Sequence, residues 1–198
     1  MQRIKLIGFY DYTVILTYLS LFSAVNGMIC AAIGKFDWAV FALFLSGFLD
    51  AFDGIVARTK KDRADDQKNF GIQLDSLVDV VAFGFYPAFL CYFLGADGPA
   101  GIIIEFVYAT CAVIRFAFFN VLETRRQHEE GGIAKYYRGL PVTSISIILP
   151  AIYLMRATVS AEAFVIVLHI VLAVVAFLFI LDFKVKKPDW KRILTGRE

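Results

Sequence analysis

The sequence predicts an all-α integral membrane protein: a single domain over residues 1–198, built as a bundle of six transmembrane helices with both termini in the cytoplasm. Three observations lead there. The chain is 59% hydrophobic with a mean hydropathy of +0.68, well above an ordinary soluble domain. Its apolar residues come in blocks of about 20, enough to cross a hydrocarbon core of about 30 Å, rather than in amphipathic stripes. Seventeen of its twenty Lys and Arg residues fall in the termini and in alternate connections, which places those segments on the cytoplasmic side. The net charge of +2 is small, and no nucleic-acid partner is expected.

The spans are read at 12–33, 38–57, 72–94, 102–122, 140–157 and 161–183. The first is too long for a signal-peptide core and lacks a small-residue cleavage site, so it is expected to stay as a membrane helix. It carries Thr17, Ser20, Ser23, Asn26 and Gly27 at helical spacing, a small polar stripe suited either to close packing or to a ligand. The second and third spans hold acids only near the ends that share a loop. Glycine-containing turns are expected at 34–37 and 95–101, and solvated cytoplasmic connections at 59–70 and 123–138, the latter with scope for an interfacial helix. Arg115 is the one basic residue in the interior of a span, Arg156 standing at the outer end of the fifth. The cluster Lys184-Val-Lys-Lys after the sixth span reads as a stop-transfer anchor near anionic lipid. Cys30, Cys91 and Cys111 share no metal-ligand spacing and read as free thiols, and His128 and His169 suggest no ligation.

The chemistry lies between Asp50 and Asp79. On a helix, Asp50, Asp53, Gly54 and Ala57 fall on one stripe, and Gly71, Asp75 and Asp79 on another. Ionised carboxylates are costly in apolar sequence, and four of them repel one another unless a hard divalent cation with a preference for oxygen binds there. Mg²⁺ or Mn²⁺, with Ca²⁺ a further possibility and two ions in view, would suit a diphosphate whose leaving phosphate gains charge. Arg58, at the membrane surface, suits a phosphate. Gly54 and Ala57 leave room for a nucleotide to approach the helix. Asp79, deepest in apolar sequence, suits the general base that an attacking hydroxyl needs.

At these residues the chain resembles the CDP-alcohol phosphotransferase family, whose signature is D-x-x-D-G-x-x-A-R, a spacer, then G-x-x-x-D-x-x-x-D. All eight specified residues are present: Asp50, Asp53, Gly54, Ala57, Arg58, Gly71, Asp75 and Asp79. The resemblance implies transfer of a phosphatidyl or similar group from a CDP-linked donor to an alcohol, with CMP released. It implies metal held by Asp50, Asp53 and Asp75, with Asp79 a metal ligand or the base. It places Gly54, Ala57 and Arg58 at the donor, and Gly71, with Thr17 and Ser20 of the first span's polar stripe, are further donor candidates. It also implies a homodimer, for which Ala82, Gly84 and Ala88 offer small residues in the third span. The spacer 59–70, at twelve residues, is longer than the family's usual one, and Lys68 stands where many members have Ser or Thr.

Within the family the chain is most similar to the phosphatidylserine synthases. Phe70-Gly-Ile-Gln-Leu-Asp-Ser-Leu-Val-Asp resembles their F-G-x-Q-L-D-S-L-x-D. Arg115-Phe-Ala-Phe-Phe-Asn120-Val resembles their R-L-A-R-F-N-V with Phe118 in place of the second arginine, and Arg138-Gly-Leu-Pro141 resembles their G-L-P stretch. CDP-diacylglycerol is then the donor and L-serine the favoured acceptor, with glycerol 3-phosphate or an inositol phosphate as alternatives. Serine brings a carboxylate, so Arg115, Lys135 and Arg138 are acceptor candidates, joined by Gln73 and Ser76. A cation channel or transporter is the reading from a different class. It is disfavoured because the acids gather at one end of helices that are otherwise Phe, Val, Leu and Ala.

Overall fold

A computed structural model describes residues 7–57, 59–60, 64–128 and 136–186. Among the described residues the regular structure is helical except for one short ribbon. A 3-10 turn, Tyr12–Val14, leads into α1 (Ile15–Ala32), followed by α2 (Phe36–Ala57) and α3 (Asp65–Asp79). A π-helical segment, Val80–Phe85, joins α3 to α4 (Tyr86–Phe93). Then come α5 (Pro99–His128), β1 (Tyr136–Arg138), α6 (Ile145–Tyr153), α7 (Ala161–Ile180) and β2 (Lys184–Lys186).

Among the described residues, five helical stretches are long and apolar enough to cross a membrane: Tyr12–Ala32, Phe36–Val56, Asp65–Phe93, Pro99–Thr124 and Ala161–Ile180. The sixth, Val142–Ala157, is shorter. It has 3-10 turns at both ends, and Pro150 inside it removes a backbone donor, so it is less regular than the expected span 140–157. Residues 139–140 belong instead to a turn in which Gly139, at φ +71°, donates to Phe183 O at 2.6 Å and Leu140 to Leu178 O at 3.3 Å.

Local chemistry sets the remaining boundaries. The Asp11 side chain accepts from Thr13 N at 2.8 Å and caps the first turn. Gly34 (φ +76°) and Gly95 (φ +113°) end α1 and α4 in the left-handed region, so that Lys35 N reaches Cys30 O at 2.8 Å and Ala96 N reaches Cys91 O at 3.0 Å. These are the two turns expected on the side opposite the acids.

The expected loop 59–70 is corrected by the structure, because α3 begins at Asp65. Asp65 and Asp66 sit in its first turn, where the helix dipole favours acids, and Lys68 Nζ meets Asp65 Oδ1 at 3.1 Å. The Lys184 cluster is also more than an anchor: its first three residues pair antiparallel with β1, Tyr136 opposite Lys186 and Arg138 opposite Lys184.

The core is packed by Phe83, Leu90, Tyr86, Tyr108 and Phe179, all 1% exposed or less. Glycine allows the closest crossings. A Cβ at Gly27 would stand 1.9 Å from the Tyr86 hydroxyl, which donates to Ala39 O, and one at Gly47 would stand 2.0 Å from Ser146 Oγ. Ala82 and Ala88 are buried within the chain, and a Cβ at Gly84 would meet Ala112 at 3.5 Å, so these small residues serve internal packing rather than an outer contact face. Outward-facing apolar side chains such as Phe106 and Leu154, 71% and 78% exposed, suit a lipid surround. Polar contacts mark the two ends of α2. The Asp11–Lys60 ion pair lies at the end where α2 gives way to α3, whereas Tyr153 donates to Asp37 and Arg156 covers Phe36 beside the start of α2.

Candidate active site

The end of α2 and the second half of α3 bring the acids together. Side-chain oxygens of Asp50, Asp75 and Asp79 all lie within 4.8 Å of one another. Asp53, 9% exposed, stands beside this trio, close enough to Asp50 and Asp75 for their charges to interact, and its Oδ2 accepts from Thr17 Oγ1 of α1 at 3.1 Å. Asp79 is 8% exposed. Asp75 Oδ1 is buried and has no hydrogen-bond donor among the described residues. Three clustered carboxylates with a buried, unpartnered oxygen fit a hard divalent cation, which takes oxygen ligands and relieves their repulsion.

The positions of these side chains follow from what lies behind them. Pro87 has no N–H to give Phe83 O four residues earlier, and the helix at that point is a π segment immediately after Asp79. Tyr108 Oη donates to Phe83 O at 2.7 Å in the fully buried core. Tyr108 begins a stripe on α5 at four-residue intervals: Tyr108, Ala112 against Gly84, buried Phe116, and Asn120. At the acid end of that stripe Asn120 Oδ1 accepts from Ser76 Oγ at 2.7 Å, and Ser76 lies between Asp75 and Asp79 on α3. Asn120 was not among the site residues read from the sequence. Its signal was the four-residue spacing, which points to α3 only once α3 is known to be α5's neighbour.

The family model for CDP-alcohol phosphatidyltransferases matches residues 12–183, most of the chain and all of this site. The chain belongs to the CDP-alcohol phosphatidyltransferase family. Among its curated relatives is the CDP-diacylglycerol–serine O-phosphatidyltransferase of Methanocaldococcus jannaschii, 28% identical over 132 residues, covering 67% of this chain and 56% of the relative. The archaetidylserine synthase of Methanothermobacter thermautotrophicus is 29% identical over 151 residues, 76% of this chain and 60% of the relative. The Saccharomyces cerevisiae CDP-diacylglycerol–serine O-phosphatidyltransferase is 32% identical over 120 residues, 60% of this chain and 42% of the relative. The matched part is thus about half the length of these relatives.

Of the other family-signature positions, Gly54 and Gly71 are half-buried on the helices that carry the acids, Ala57 is the last residue of α2, and Arg58 lies outside the described residues. The small polar stripe of α1 divides in use. Thr17 reaches Asp53, whereas Ser20 bonds Ser46 and Ser23 bonds Ala42 O, joining α1 to α2. Ser20 is therefore committed to packing and is not brought to the carboxylates. Gln73 is exposed, and Ser76 is buried against Asn120. Half-buried Arg115 lies on a different face of α5 from Asn120, its guanidinium beside Gly139, where an added Cβ would stand 3.6 Å from Cζ. Arg138 is in β1, and Lys135 is outside the described residues.

Proposed function

We propose that this protein is an integral, multi-pass membrane enzyme that transfers the phosphatidyl group of CDP-diacylglycerol to the hydroxyl of L-serine, giving phosphatidylserine and CMP. The observation that carries the reading is the meeting of Asp50, Asp75 and Asp79 within 4.8 Å, in the full family signature, at one end of two adjacent helices. The names of the curated relatives support serine as acceptor. The charge distribution along the chain supports a site facing the cytoplasm.

Asp50, Asp53, Asp75 and Asp79 would hold two divalent ions, Mg²⁺ or Mn²⁺. Bound there, the ions would neutralise the diphosphate and the charge that grows on departing CMP. The chain's own groups supply the rest. Gly54 and Ala57 keep the α2 face low beside the nucleotide, and Arg58 pairs with a phosphate. Thr17 holds Asp53 in place by its 3.1 Å hydrogen bond. Asp79, the deepest of the acids in apolar sequence, takes the proton from the serine hydroxyl as its oxygen bonds to the phosphatidyl phosphorus and the bond from that phosphorus to CMP breaks. Arg115 and Arg138 serve the serine carboxylate.

The test is CMP release by the purified protein from CDP-diacylglycerol with Mg²⁺ or Mn²⁺ and a panel of alcohols. L-Serine should support release and yield phosphatidylserine. Release with glycerol 3-phosphate or an inositol phosphate, and none with serine, would refute the acceptor and spare the reaction class.

A further inference from the structure

One short segment before α1, residues 8–12, touches both the residues just after α2 and the second turn of α3. Asp11 Oδ2 binds Lys60 Nζ at 2.9 Å, and the Tyr12 hydroxyl lies 3.1 Å from Thr59 Oγ1. Thr59 in turn donates to Val56 O at 2.7 Å and so continues the end of α2. Within α3, Phe70 meets Phe9 edge-on with centroids 5.5 Å apart, and Gly8, at φ +112°, lets the backbone pass so near that a Cβ there would stand 3.3 Å from the Phe70 ring. In sequence, Thr59 directly follows the first half of the signature and Phe70 directly precedes the second. The same segment is tied to α1, because Asp11 also caps Thr13, and α1 carries the Thr17 that holds Asp53.

We propose that residues 8–12 form a strap that holds Thr59 and Lys60, just after α2, in register with α3 for the CDP-linked donor, with Asp11 and Lys60 as positioning residues. The inference rests on the phosphatidyl-transfer reading. Its physical content is pre-organisation: Thr59 and Lys60, already held, lose less conformational freedom when a nucleotide diphosphate settles beside them. The strap also explains how the long spacer is accommodated, since half of it is wound into α3 and its two ends are held.

The experiment compares Asp11→Asn, Lys60→Met and the charge swap Asp11→Lys/Lys60→Asp in the full chain. Readouts are KM for CDP-diacylglycerol, KM for L-serine, kcat and melting temperature. Lys60→Met leaves the Asp11 cap on Thr13 intact and so separates the bridge from folding. Both single variants should raise the donor KM about three- to fivefold, the factor a partly exposed ion pair is worth, with serine KM and kcat unchanged and the swap recovering much of the loss. An unchanged donor KM in both single variants, or an equal rise in the serine KM, overturns the strap while normal turnover by the unsubstituted protein preserves the transfer reading. An unsubstituted protein that neither binds nor cleaves CDP-diacylglycerol overturns both.

Discussion

Replacing Asp75 by Asn should make the metal-free protein more stable while removing its activity. Two ionised carboxylates 4.8 Å apart repel by roughly 3.5 kcal/mol at an effective dielectric of about 20. Asp75 forms two such pairs, with Asp50 and with Asp79, and its Oδ1 has no hydrogen-bond donor among the described residues to offset them. If water and salt leave about a third of that repulsion, relief amounts to about 2 kcal/mol, a rise of roughly 4–8 °C in melting temperature. The assay is thermal unfolding in detergent with a chelator and again with Mg²⁺, alongside CMP release. The unsubstituted protein should melt lower in chelator and gain stability with Mg²⁺. Asp75→Asn should melt higher in chelator, gain little from Mg²⁺ and release no CMP. A lower melting temperature in chelator, or an undiminished Mg²⁺ shift, would refute the argument that these carboxylates are held together for a cation.

Three further outcomes are expected. Asp79→Asn should abolish turnover yet leave CDP-diacylglycerol binding largely intact; full turnover would remove the base role from Asp79. Tyr108→Phe leaves Phe83 O without its 2.7 Å hydroxyl donor in the core and should cost about 1–3 kcal/mol, seen as a lower melting temperature. An unchanged value would mean that the π-segment carbonyl has a sufficient donor elsewhere. The Thr13 hydroxyl, and after it the Lys60 ammonium, hold the Asp11 carboxyl at about 2, below its ordinary 3.8. Because the folded value is the lower one, the stabilisation is present above pH 3.8 and fades as pH falls through about 2. Solvent screening at this partly exposed site limits it to about 1 kcal/mol. The gap in melting temperature between the unsubstituted protein and Asp11→Asn should therefore be constant above about pH 5 and shrink toward pH 2.

Much of this molecule is written locally. Apolar blocks of membrane length determine where the helices run, and Gly34 and Gly95 mark two of their ends, because desolvation and left-handed backbone are properties of single residues and their near neighbours. The spacing of Asp50 with Asp53, and of Asp75 with Asp79, likewise assigns each acid to a helix face before any fold is known. Hydropathy does not register a helix that continues into polar sequence, so the start of α3 at Asp65 was hidden; its acids favour a helix N-terminus without any apolar period to announce it. Which face meets which neighbour was decided only by tertiary packing. Asn120 reaches Ser76 because α5 crosses behind α3, Ser20 is committed to Ser46 rather than to the acids, and Arg115 turns toward Gly139. Pairing of β1 with β2 and the contacts of residues 8–12 with Lys60 and Phe70 join segments far apart in sequence, and periodicity along one segment carries no information about such partners.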